Sequence, residues 1–221
     1  MWCLRWLVPR VAAVAKMAPE LLAMRELFGS NLARAKGLVD TYRSLGSGRR
    51  GRNTVSKVDV LRAATVFLHA TLEEVVRGAV VWRWPSADSS VLDEVPLVGT
   101  CGKLPTKFTL GNLALLRGRT IDDVLRESVL EYSKRLNINN TTELAAYLGK
   151  LSVDVTKVNA RFADLENLMQ RRHIIVHQAD RNDARGRGQH RARSLHPARV
   201  DTWAAAVDEF GEAFFVTLAA L

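Results

Sequence analysis

Twelve residues towards the end of the chain, Arg171-Arg172-His173-Ile174-Ile175-Val176-His177-Gln178-Ala179-Asp180-Arg181-Asn182, hold the side chains best suited to chemistry. Arg172 and His177 stand four intervening residues apart. Arginine is a permanent cation whose planar fork matches phosphate oxygens. Histidine trades protons near neutrality. Together those two side chains can do RNA chemistry. Five residues at 100° each place the two side chains about 140° apart on a regular helix. Either the helix loosens near His177, or a site forms from unlike residues of two protomers across a two-fold interface.

The same residues support other readings. His173 and His177 lie at i and i+4, a spacing that can hold a metal on one helix face. No cysteine or evident third ligand accompanies them, although Asp180, His190 and His196 are close in sequence, and no metal is expected. Arg172 and His177 can also serve only the helix end, where cations favour the negative pole of the dipole.

The elements that must position these residues are helical throughout. From Pro19 to Leu45 the residues Leu21, Met24, Phe28, Leu32, Ala35, Val39, Tyr42 and Leu45 recur at steps of three and four, the spacing of a buried helix stripe. Gly46-Ser47-Gly48-Arg49-Arg50-Gly51-Arg52-Asn53 then reads as a flexible basic loop. The longest stripe follows Ser56, an expected N-cap, through Val58, Leu61, Thr65, Leu68, Leu72, Val75, Ala79 and Trp82. Glu73-Glu74 on that helix is expected on an exposed acidic face, the alternative being a carboxylate that orients a residue of the Arg/His stretch. Trp84 and Pro85 end the helix, and prolines and glycines make 85–111 irregular or briefly helical. Shorter helices are predicted over Thr120–Arg135, with Thr120 as N-cap and Asp122 and Asp123 in the first turn, and over Thr142–Leu148. A further helix is predicted from Val155 to His177, with Val158, Phe162, Leu165, Met169, Arg172 and Val176 along one side. A last one carries Val200, Trp203, Val207, Phe210, Phe214 and Leu218. There is no sustained period-two alternation, phosphate loop, dinucleotide-binding glycine pattern or internal repeat. The expected fold is all-α, an antiparallel bundle of about five main helices plus short ones.

With 221 residues and 48% hydrophobic composition, the chain suits one substantial core, expected over 19–221. Residues 1–18 read as a disordered extension or a misassigned start, with Met17 or Met24 as the true one. The formal net charge of +9 favours a polyanionic partner. Cys3 and Cys101 lack the close spacing of a zinc site or disulfide framework, so a reducing, cytoplasmic setting is the default. No apolar run is long enough to span a bilayer.

Arg171-Arg172-His173, then Ile175-Val176-His177 and Ala179-Asp180, near the end of the penultimate long helix, resembles the HEPN superfamily, most closely HEPN domains of the RiboL-PSP type. These are small α-helical domains marked by an arginine, four to six residues and a histidine, commonly with a polar residue right after the arginine. Carried over, the arginine falls on Arg172, its polar companion on His173 and the histidine on His177, while Arg171 serves under the five-residue spacing. The resemblance is motif-deep over 165–182 and rests on helix order elsewhere.

It implies an HEPN-like fold and a metal-independent endoribonuclease, without cofactor, working as a homodimer with the two motifs facing each other. His177 would handle protons and Arg172 would stabilise the phosphate, leaving 2′,3′-cyclic phosphate and 5′-hydroxyl ends. RNA is required because DNA lacks the nucleophile. The role implied is a toxin or defence effector, held in check by an antitoxin protein. In one toxin group the histidine is followed two residues later by a tyrosine that becomes modified; here that position is Ala179, which argues against that mechanism. The alternatives are a non-catalytic HEPN module that binds RNA, nucleotide or a protein partner, and a purely structural helical dimer. Arg171, Arg181, Arg185 and Arg187, with Arg191 and Arg193, are the residues expected to track an RNA backbone, against the alternative of a solvated loop.

Overall fold

The computed structural model describes residues 17–45, 55–99, 110–181 and 192–221. Those residues are all-α. Eight helices occur among them: α1 (Pro19–Ser44), α2 (Val55–Arg83), α3 (Ser89–Leu92), α4 (Leu110–Ala114), α5 (Ile121–Ser133), α6 (Thr141–Lys150), α7 (Phe162–Gln178) and α8 (Pro197–Leu218). Short 3₁₀ turns cover Trp84–Ser86, Val155–Lys157 and Asn159–Arg161. The only extended pairing among the described residues is an isolated antiparallel bridge between Arg181 and Ala192.

The chain divides into two compact units, one ending at Val75 and resuming at Ile138, the other spanning Val76–Asn137. In the first, α1 and α8 pack along their length. Arg25 pairs with Glu212, Lys36 with Asp208 and Arg43 with Asp201. Partner numbers fall along α8 as they rise along α1, so the two helices are antiparallel. Between the pairs lies an apolar seam where Phe28 meets Phe215 edge-on at 5.8 Å. Gly211 lets the helices approach, because a Cβ there would lie 2.3 Å from Phe28 Cζ. Leu61, Leu68 and Leu72 of α2, Leu165, Leu168 and Met169 of α7, and Phe210 and Phe214 of α8 complete this core. Glu166 of α7 accepts hydrogen bonds from Thr141 N at 2.7 Å and Thr141 Oγ1 at 2.8 Å, fixing the first turn of α6.

The second unit buries Trp84 against Tyr132, ring centroids 5.6 Å apart. Arg77 donates to the carbonyls of Ser133, the last residue of α5, and of Leu136 just beyond it. Thr120 caps that helix as expected, accepting from Asp123 N at 3.1 Å.

Three local expectations are corrected. Ser56 is not an N-cap, since α2 already begins at Val55 and Ser56 lies in its first turn. The helix expected from Val155 starts at Phe162, after two 3₁₀ turns. Asp154 Oδ1 takes the Thr156 N–H at 3.0 Å, and Val158 adopts φ −124°, so local side-chain bonding and a β-branched run displace the helical ladder. Glu73 is buried rather than on an exposed acidic face. Elsewhere α8 buries all six expected residues, and α1 buries its stripe except Met24, which is half-buried, and Leu45, which lies beyond the helix end and is exposed. Residues 1–16, the basic loop 46–53, Cys101, Arg185, Arg187, His190 and Arg191 fall outside the described residues; Met17 is buried and Met24 lies within α1.

Candidate functional site

α7 carries the whole Arg/His stretch. It stays a regular α-helix to Gln178 and stops where Ala179 and Asp180 enter the left-handed region, φ 49° and 55°. Both of their N–H groups donate to Ile174 O, the closure that satisfies a helix C-terminus. The helix therefore does not loosen at His177. Within one chain, Arg172 and His177 diverge by the full 140° or so of the helical wheel.

The two adjacent arginines have different fates. Arg171 is engaged with Asp180, whose side chain has no exposed surface. Asp180 Oδ2 accepts from Arg171 NH2 at 2.7 Å and from Arg62 Nε of α2 at 2.6 Å. Arg62 also reaches Asp59 at 2.7 Å and the Arg193 carbonyl at 3.0 Å. Burial pulls the Arg171 guanidinium below its ordinary range, Asp180 opposes this, and the neighbouring positive charge of Arg62 adds to it; the group remains a cation. Around this cluster the two flanks of segment 182–191 are joined. Arg193 N donates to Asp180 O at 2.8 Å, Arg193 Nε donates to Arg181 O at 3.2 Å, and Arg181 bridges Ala192. Arg171, counted above among the RNA-contacting residues, is thus an internal tie, and Arg181 and Arg193 form the base of the same assembly.

Arg172 lies about 100° further round the helix than Arg171. Like Arg171 it is half-buried with its Nε lacking a hydrogen-bond partner, but among the described residues no carboxylate pairs with it. Its charge is felt by His69 of α2, a buried imidazole. His69 Nε2 donates to Ile138 O at 2.8 Å, which places the hydrogen on Nε2 because a carbonyl can only accept. Glu73, one turn further along α2, accepts from Ile138 N at 3.0 Å and stands 3.5 Å from His69 Nδ1. Burial holds the His69 pKa below its ordinary value. Glu73 and the Ile138 carbonyl oppose that, and Arg172 reinforces it.

His173 and His177 face solvent. Their ring centroids are 4.6 Å apart with the planes tilted by 47°. The structure therefore brings His173 to His177 but does not bring Arg172 and His177 together within a chain.

The residues that the sequence reading passed over, Arg62, His69 and the burial of Glu73, carry a recognisable signal. Arg62, Thr65, His69 and Glu73 are spaced three, four and four apart on a helix that is otherwise apolar at core positions. All four are buried. A polar stripe at core spacing marks side chains that must find internal partners.

No protein-family model, curated protein or solved structure matches this chain. Among the described residues, no helix is long and apolar enough to cross a membrane.

Proposed function

We propose that this chain is a metal-independent endoribonuclease of the HEPN type that works as a homodimer and cuts RNA to 2′,3′-cyclic phosphate and 5′-hydroxyl ends. One contrast carries the reading. Arg171 is neutralised by a buried carboxylate, whereas Arg172, beside it, is a half-buried cation without a carboxylate partner among the described residues. A charge in that position suits an anion from outside the protein, because desolvated cations require compensation. Two exposed imidazoles adjoin it on the same helix end.

In this reading the 2′-oxygen attacks phosphorus and the bond to the 5′-oxygen breaks. His177 handles the proton, taking it from the 2′-hydroxyl or giving it to the departing 5′-oxygen, and His173 stands beside it as a second imidazole. Arg172 stabilises the negative charge that accumulates on the phosphoryl oxygens. Because α7 is uninterrupted, the site is completed by Arg172 of one protomer and His177 of the other across a two-fold axis. The net charge of +9 favours the polyanionic substrate. A toxin or defence role in the cytoplasm, with an antitoxin protein as inhibitor, belongs to the same proposal.

The test is incubation of the purified chain with mixed cellular RNA in EDTA, beside Arg172→Ala and His177→Ala. Wild type is expected to cleave and leave cyclic phosphate ends. Each variant should lose about 10²-fold to 10⁴-fold in rate, the range for a proton-transfer or charge-stabilising group. Equal cleavage by all three would refute the assignment. A folded wild type that binds RNA without cutting it would favour the non-catalytic module.

A further inference from the structure

We propose that His173 and His177 form a two-point chelate for a late first-row divalent ion such as Zn²⁺, and that its occupancy shuts off the cleavage chemistry proposed above. The second clause rests on the ribonuclease reading; the first does not.

Both imidazoles are exposed and lie one helical turn apart, with ring centroids 4.6 Å apart. At that separation, small torsional adjustments of two surface side chains bring one nitrogen of each ring to the roughly 2.0–2.1 Å that zinc–imidazole bonds require. The pair also sits in the last turns of α7, where the negative pole of the helix dipole favours a bound cation. Nitrogen donors select zinc, copper or nickel over magnesium and calcium, which take oxygen. Among the described residues no group of three or more histidine, cysteine, aspartate or glutamate side chains could hold a metal ion. The chelate is therefore bidentate with respect to those residues, with water filling the other positions, and binding is reversible rather than structural.

Occupancy has a chemical consequence. A metal takes the imidazole lone pair that would accept a proton, so His177 cannot serve as a base while the ion is bound. Acidification releases the ion, because a protonated ring has no lone pair to give.

The test is calorimetric titration of the full chain with Zn²⁺, comparing wild type, His173→Asn, His177→Asn and His196→Asn. All three positions are exposed, so the variants are expected to fold, and circular dichroism verifies it. One binding equivalent in wild type should weaken by about tenfold or more in either of the first two variants, since removing one arm abolishes the chelate. His196→Asn should leave it unchanged. Binding equivalents that all survive both His173→Asn and His177→Asn, or an absence of binding, would overturn the site. In parallel, Zn²⁺ should arrest RNA cleavage by wild type and EDTA restore it. Binding without any RNA cleavage in EDTA would leave the metal site standing and remove the ribonuclease reading, so the two failures are distinct.

Discussion

Replacing Asp180 with asparagine removes one charge from the assembly that joins the two ends of segment 182–191. The substitution removes the charge and replaces Oδ1, buried without a hydrogen-bond partner, by an amide donor. Asparagine has nearly the same shape, tolerates the left-handed φ of 55° at this position, and keeps an acceptor oxygen. The carboxylate has no exposed surface, and its Oδ2 accepts two guanidinium hydrogen bonds of 2.6 Å and 2.7 Å. Hydrogen bonds to charged groups contribute about 1.5–3 kcal/mol each and neutral ones about 0.5–1.5 kcal/mol, so downgrading two costs about 2–3 kcal/mol. Breaking a buried ion pair outright costs about 3–5 kcal/mol. The smaller figure holds here because Arg62 retains Asp59 at 2.7 Å. For a chain of this size each kcal/mol moves the midpoint by about 2–4 °C, which gives a fall of about 4–12 °C. Thermal unfolding followed by circular dichroism measures it, with urea denaturation as a second scale. Asp59→Asn is the control: that side chain is 57% exposed, and its loss should cost less than about 0.5 kcal/mol. If Asp180→Asn shifts stability no more than the control, the buried cluster is not the tie described here.

Two further outcomes follow from packing and protonation. Gly211→Ala places a methyl group 2.3–2.4 Å from two atoms of the Phe28 ring, an overlap that should cost about 1–3 kcal/mol despite alanine's better helix propensity, with Phe28→Leu restoring part of the loss in a denaturation series. Burial is the chief cause that lowers the His69 pKa from its ordinary 6.5, so between the lowered value and 6.5 the unfolded chain binds more protons than the native one and stability rises with pH. Acidification below about 6.5 should therefore destabilise the wild type more steeply than His69→Gln, whose amide can still donate to Ile138 O; parallel urea midpoints for the two across pH 8 to 5 would refute this.

Helix order and much of the core were legible in the sequence for a simple reason. The stripes Leu21 to Tyr42 and Val200 to Leu218 repeat at the period of the helix, and that period reports one buried face without knowledge of what covers it. Thr120 followed by Asp122 and Asp123 announced its own helix start because capping is a local interaction. Local competition also explains a miss: the turns at Val155–Arg161 are decided by Asp154 and a β-branched run, which periodicity alone does not register.

The sequence by itself determined the chemistry on offer: a cation and an imidazole with four residues between them near a helix end, on a strongly basic chain with helical periodicity throughout. Only the tertiary structure decided which of the two arginines meets a carboxylate among the described residues. Arg171 and Arg172 are identical in composition and adjacent in position, yet about 100° of helix rotation separates them, and of the two only Arg171 meets Asp180. Partners drawn from residues more than a hundred positions away, such as Arg62 for Asp180, leave no local periodicity to read. Charge compensation in a buried cluster is a property of three-dimensional proximity, and it is what sets Arg171 apart from its neighbour.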